Sequence, residues 1–205
     1  MAADAKVEDL LTKMRDAYKG VKSARLEVKT TLYEEEEKFE SSTKVLFANP
    51  NKVSIELTPE DQESDEKITL FYRHDGKKMA AGTKKDELRS REYDDEEFPI
   101  ATVNLETLSF WEWDKQLNTA EGKNMHDSEL KVVEDVEWNG KKWTTLEESA
   151  KEAKVFVRYY IDPKTHLIWR TEVKNLDTMA PMEDVQVTQL ETGVEIEEDE
   201  FKIED

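Results

Sequence analysis

The chain has 205 residues, 49 of them acidic against 30 basic, for a net charge of -19, and no cysteine. Acidity on this scale repels a phosphate backbone and an anionic membrane surface, so nucleic acid is not an expected partner. The missing cysteines exclude disulfides and thiolate zinc sites, and no segment approaches the ~18 apolar residues of a membrane-spanning helix. With 37% hydrophobic and 39% charged residues, the apolar side chains must be gathered on inward faces, which favours a curved sheet with one wet side.

The start, Met1-Ala2-Ala3-Asp4-Ala5, leads straight into a helical pattern. It fits an ordinary cytosolic start or a mature exported domain preceded by an added Met1. After Asp4, the expected N-cap, Val7, Leu10, Leu11, Met14, Ala17 and Tyr18 recur at helical spacing, and Gly20 stands where a C-terminal cap belongs. From Ala24 the period becomes two: Ala24, Leu26, Val28, Thr30 and Leu32 face one way, Arg25, Glu27, Lys29 and Thr31 the other.

Glu34 to Glu37 reads as a solvated connection, and Thr43–Phe47 and Val53–Leu57 as strands about an Asn49-Pro50-Asn51 turn. Ile68–Tyr72, a His74-Asp75-Gly76 turn, a short strand through Met79 and a strand over Leu88–Tyr93 continue the meander. In the stretch 94–128, Val103, Leu105, Leu108 and Phe110 suggest one or two helical turns, followed by Trp111 and Trp113. Asn139-Gly140 is a strong two-residue hairpin signal that pairs Val136 with Trp143 and Glu137 with Lys142. A second hairpin runs Val155–Ile161, turns over Asp162–His166 and returns through Leu167, Trp169, Thr171 and Val173. A last strand lies near Val185–Leu190.

The expectation is α+β, mainly antiparallel β: about eleven strands with no crossover helix, in a single domain over residues 1–205. Leu26, Val28, Val45, Phe47, Val53, Ile55, Leu70 and Tyr72 alternate on consecutive strands and are nominated as one apolar lining.

Acid-base chemistry finds little support. His74-Asp75 reads as part of a turn, His166 as a residue that tolerates the left-handed region, and His126 is isolated, so the three histidines show no metal-ligand spacing. The acidic runs Glu34–Glu37, Asp94–Glu97 and Glu195–Glu200 lie at turns, and no EF-hand spacing, nucleophile elbow or phosphate loop occurs. No catalytic group, metal or cofactor is expected. Trp111, Trp113, Trp138, Trp143 and Trp169 could line a ligand cavity, but core packing is the better reading.

Four features in order resemble the LolA-like superfamily of outer-membrane lipoprotein carriers and lipoprotein-sorting proteins. They are the helix running into Ala24–Tyr33, the turn in Phe47-Ala48-Asn49-Pro50-Asn51-Lys52-Val53, the hairpin Tyr72-Arg73-His74-Asp75-Gly76-Lys77-Lys78, and the hairpin Tyr160-Ile161-Asp162-Pro163-Lys164-Thr165-His166-Leu167. The closing Phe201-Lys202-Ile203 also fits. The resemblance implies an unclosed half β-barrel whose concave apolar face is covered by the N-terminal helix and short helices, with Leu10, Leu11 and Met14 on the lid. It further implies a periplasmic monomer, its leader removed, that holds lipid acyl chains or lipoproteins as carrier or chaperone. An envelope regulatory module of the same fold, sensing lipid or binding a basic protein partner, is the other reading. Asn49 stands where the carriers often have an arginine, so the resemblance implies lipid holding more directly than lipoprotein delivery.

Overall fold

The computed structural model describes residues 5–34, 37–48, 52–60, 68–85, 87–92 and 128–203. The expected N-cap Asp4, the turn Asn49-Pro50-Asn51, the acidic run Asp94–Glu97 and nearly all of the stretch 94–128, with Trp111, Trp113 and His126, lie outside the described residues. The strands form one antiparallel order, β6-β5-β4-β3-β2-β1-β11-β10-β9-β8-β7. Its first and last members are both edges, so the sheet is unclosed. Contacts divide the chain into two compact units, one of Met1–Gly20 with Ile100–Gln186 and one of Val21–Pro99 with Val187–Asp205.

In the first unit, helix α1 (Ala5–Gly20) buries Val7, Leu10, Met14 and Tyr18, the single stripe that its three- and four-residue spacing dictates. Glu8 in its first turn and Lys19 in its last complement the helix dipole. The strands of this unit are β7 (Ser128–Trp138), β8 (Lys141–Ala150), β9 (Val155–Ile161), β10 (Ile168–Asn175) and the start of β11 (Pro181–Thr192). Asn139 and Gly140 join β7 to β8 with φ of 50° and 69°, the conformation a tight right-twisted hairpin requires. Val136 faces Trp143 and Glu137 faces Lys142 as the turn predicted. Between β9 and β10, the Asp162 carboxylate accepts the Lys164 and Thr165 amides at 2.8 and 3.0 Å, and His166 takes φ 57°. The core on one face of this unit is Leu146, Ile161, Ile168, Thr171 and Val185, each no more than 1% exposed.

The second unit is the meander β1 (Ser23–Glu34), β2 (Glu37–Ala48), β3 (Lys52–Pro59), β4 (Leu70–Asp75), β5 (Lys78–Gly82) and β6 (Arg89–Glu92), with the rest of β11. Thr188 of β11 donates its hydroxyl to the Glu27 carbonyl of β1 at 3.2 Å. Strand β2 begins six residues before the expected Thr43. Its first half is polar and mostly exposed, and pairs with β1 out to Glu34 opposite Glu37. Strand β4 likewise runs on through His74 and Asp75. The Asp75 carboxylate then accepts the Lys77 and Lys78 amides, both at 2.8 Å, to shape the turn. A 3-10 turn, Glu198–Phe201, packs on β3 and β4. It is tied down by Lys52 to Glu198 at 2.8 Å and by Arg73 to the Lys202 carbonyl at 2.9 Å, and it buries Phe201.

Candidate functional site

The nominated lining lies wholly in the second unit. Register sets its rows: Leu26 opposite Val45, Ala24 opposite Phe47, Val45 opposite Ile55, Phe47 opposite Val53, Ile55 opposite Tyr72 and Leu57 opposite Leu70. Residues directly opposite each other share a face, so all eight nominated side chains stand on the same one. Leu26, Val28, Val45, Phe47, Val53 and Ile55 are at most 3% exposed, while Leu70 and Tyr72 are half-buried. His74 faces Val53 on this face and is buried; its Nδ1 accepts the Gly76 amide at 3.2 Å. A ring nitrogen engaged in shaping its own turn is a structural arrangement. The face offers methyl and aromatic surface, with Thr43 and Thr30 as its buried hydroxyls.

The nominated lid helix belongs to the first unit. Leu10 and Met14 are buried and Leu11 is half-buried. Near the helix C-terminus, the Tyr18 hydroxyl accepts the Ile168 amide at 2.9 Å in a buried setting. Burial pushes the Tyr18 phenol far above its ordinary range, so it stays neutral at all working pH values. The N-terminal half is held by exposed ion pairs, Lys6 to Glu134 at 3.3 Å and, within the helix, Lys13 to Asp9 at 2.7 Å. Beneath that half lies a cavity of about 200 Å³ with Leu10, Val132 and Ile161 among its walls and Lys6, Glu134 and His166 among its polar groups. That volume falls below the ~300 Å³ lower end for small-molecule sites.

On the opposite face of the first unit, a charged ladder crosses four strands. Arg158 of β9 meets Glu147 of β8 at 2.8 Å and Glu172 of β10 at 3.6 Å, and Arg170 meets Glu172 at 2.8 Å. Arg170 then grips Asp184 of β11 through two bonds of 2.8 Å each. Tyr160 donates its hydroxyl to Glu172 at 2.9 Å. The Arg170 guanidinium lies 5.3 Å from the Trp138 ring centroid and 5.1 Å from that of Tyr160. Trp143 packs 5.1 Å from Trp138 and 6.3 Å from Trp169. Burial opposes the Arg170 charge, but the Asp184 hydrogen bonds and the field of Asp184 and Glu172 hold its pKa above the ordinary value.

Sequence reading did not single out this ladder. Its signal was available in the Asp162–His166 turn, whose register sets Arg158 opposite Glu172. The register shift between Ile168 and Arg170 supplies the extra residue, Trp169, beside Trp143. Three of the five tryptophans thus form one packed cluster: Trp143 is buried, and Trp138 and Trp169 are half-buried.

Among the described residues no group of three or more His, Asp or Glu is placed to hold a metal ion, and no helix is long and apolar enough to cross a membrane. No protein-family model matches the chain, and no curated protein matches it. Solved structures do. MucB is similar with a TM-score of 0.55 at 14% identity over 98% of this chain and 64% of its own. The MucA/MucB complex of Pseudomonas aeruginosa gives 0.51 at 14% identity over 98% and 62%. The LolA superfamily protein NE2245 of Nitrosomonas europaea gives 0.41 at 8% identity over 96% and 97%. The chain therefore spans less than two thirds of the MucB chains it matches. At these identities the likeness is one of fold, and the fold is an unclosed antiparallel sheet led by an N-terminal helix.

Proposed function

We propose that residues 1–205 act as a single periplasmic binding domain, without catalysis, that holds acyl chains of lipid or lipoprotein against the apolar face of β1–β4. The observation that carries this reading is the unbroken run of Leu26, Val28, Val45, Phe47, Val53 and Ile55 over three adjacent strands. A face of methyl and phenyl groups recognises a methylene chain through burial alone, at about 0.8 kcal/mol per methylene. These side chains are covered in the present arrangement, so uptake requires a conformation that uncovers them, and ligand shifts the population toward it. Leu70 and Tyr72, half-buried on the same face, are the members reached first.

The test is titration of delipidated protein with a fluorescent fatty acid. Saturable uptake that weakens in Leu70→Asn and Tyr72→Asn, with unchanged circular dichroism, is expected; an absence of saturable uptake ends the acyl reading. The likeness to a protein solved together with its partner favours a second reading, an envelope module that binds another protein. Lipid-independent capture of a defined partner would support it in place of the first.

A further inference from the structure

We infer that the free end of the β1–β2 hairpin is a docking surface for a basic, amphipathic segment of a partner protein. The last two rows of the hairpin are Leu32 opposite Phe39 and Glu34 opposite Glu37. Alternation places all four on the face that carries Leu26, Val28 and Val45 further down the same strands. There the apolar rows are buried; at the tip they are open, with Leu32 36% and Phe39 43% exposed. Ile68, 48% exposed, precedes β4, two strands from β2.

Beyond this apolar step stand two exposed carboxylates directly across the ladder from one another. A like-charged cross-strand pair repels and weakens the hairpin it closes. Among the described residues the nearby cations do not relieve it. Lys38 pairs across from Tyr33 on the other face, with its ammonium 5.4 Å from the Tyr33 ring centroid. Lys29, also on the other face, is engaged by Glu40 at 2.8 Å and Glu60 at 3.5 Å.

Uncovered apolar surface next to an uncompensated anionic pair has one complementary partner. It is a segment whose apolar side chains cover Leu32 and Phe39 while a lysine or arginine enters between Glu34 and Glu37. An anionic lipid surface is excluded by the same carboxylates. The inference does not depend on acyl binding, which occupies the opposite stretch of these strands.

The probe is a fluorescently labelled synthetic peptide of alternating lysine and leucine, titrated into the full chain by anisotropy. Saturable binding is expected, about tenfold weaker in the combined variant Glu34→Gln, Glu37→Gln, Phe39→Asn, or about tenfold weaker for a peptide of lysine and serine with equal charge. The variant Glu195→Gln, Glu197→Gln removes the same charge from exposed sites elsewhere and is expected to bind as the parent does. Equal weakening in both variants would reduce the effect to bulk acidity and overturn the docking surface. Unchanged affinity in the hairpin variant would overturn it too. So would hairpin substitutions that abolish self-association or vesicle binding and leave the peptide unaffected, since the surface would then serve a second copy or a bilayer. All three substituted side chains are exposed, and Glu37→Gln alone provides the same readout if the triple variant loses its fold.

Discussion

The hairpins β7–β8 and β1–β2 sit at opposite ends of a design choice. The first closes on Asn139 and Gly140 in the left-handed conformation, with Glu137 facing Lys142 and the Trp143 indole donating to the Trp138 carbonyl at 3.0 Å. Every device at that tip stabilises the tip itself. The second is longer, and its last described row is Glu34 facing Glu37, with no glycine in the sequence between them. Self-sufficient ends belong to structure, whereas an end left with repulsion and open apolar surface is where a second molecule can supply what is missing.

The contrast can be broken from either side. The largest effect is expected in the self-sufficient region: Arg170→Met leaves Asp184, 15% exposed, without its guanidinium and removes the 2.8 Å partner of Glu172, 13% exposed. That costs about 3 kcal/mol, read as a lower urea midpoint. A double-mutant cycle with Asp184→Asn should recover part of the loss, because the orphaned charge is removed as well. Next, Gly140→Val forces a β-branched residue into φ 69°, costing about 1–2 kcal/mol and lowering the melting temperature without changing ligand behaviour.

Smaller, and of opposite sign, is Glu37→Lys. Opposite charges replace like ones across the ladder, raising stability by about 0.5 kcal/mol, or about 1–2 °C in melting temperature, and the lysine–leucine peptide binds about tenfold more weakly. A fall in melting temperature would mean the glutamate pair is already accommodated, and the contrast between the hairpins would vanish.

The smallest effect belongs to Asp75. Burial raises its pKa, but the hydrogen bonds from the Lys78 and Lys77 amides outweigh that and hold it below its ordinary 3.8. The folded value is depressed, so the contribution is present above pH 3.8 and lost as pH falls through the folded value. Asp75→Asn should therefore be slightly less stable than the parent at pH 7, with the gap closing in acid. A gap independent of pH would assign the effect to turn geometry instead.

Much of this fold was legible because local rules and final structure agree. Helix α1 follows from its apolar spacing, and the β7–β8 register from Asn139-Gly140. The left-handed turn at His166 follows from the residues that tolerate it. The first half of β2 was hidden because Lys38, Glu40 and Ser42 on one face alternate with Glu37, Phe39 and Ser41 on the other, all at least partly exposed, so no burial period marks the strand. The ladder was hidden for another reason. Glu147, Arg158, Glu172 and Asp184 each read alone as solvent-facing residues of their strands, and only pairing across four strands makes them one network. The apolar face of β1–β4 was visible from alternation, which sets Leu26, Val45 and Ile55 in one cross-strand row.

The place of β11 between β10 and β1 carries a consequence for biosynthesis. Thr188 and Glu27 bond across 161 residues of chain, so strand β1 waits for that length of chain before its second neighbour exists. Until then a nascent chain displays β1 and β10 as open edges, the state in which strands from different molecules pair most readily. Slow completion of long-range pairing and high net charge act in opposite directions on that risk. Nearly half of the -19 charge lies in residues 181–205, so a chain still lacking β11 has only about half of that self-repulsion to keep it apart from others.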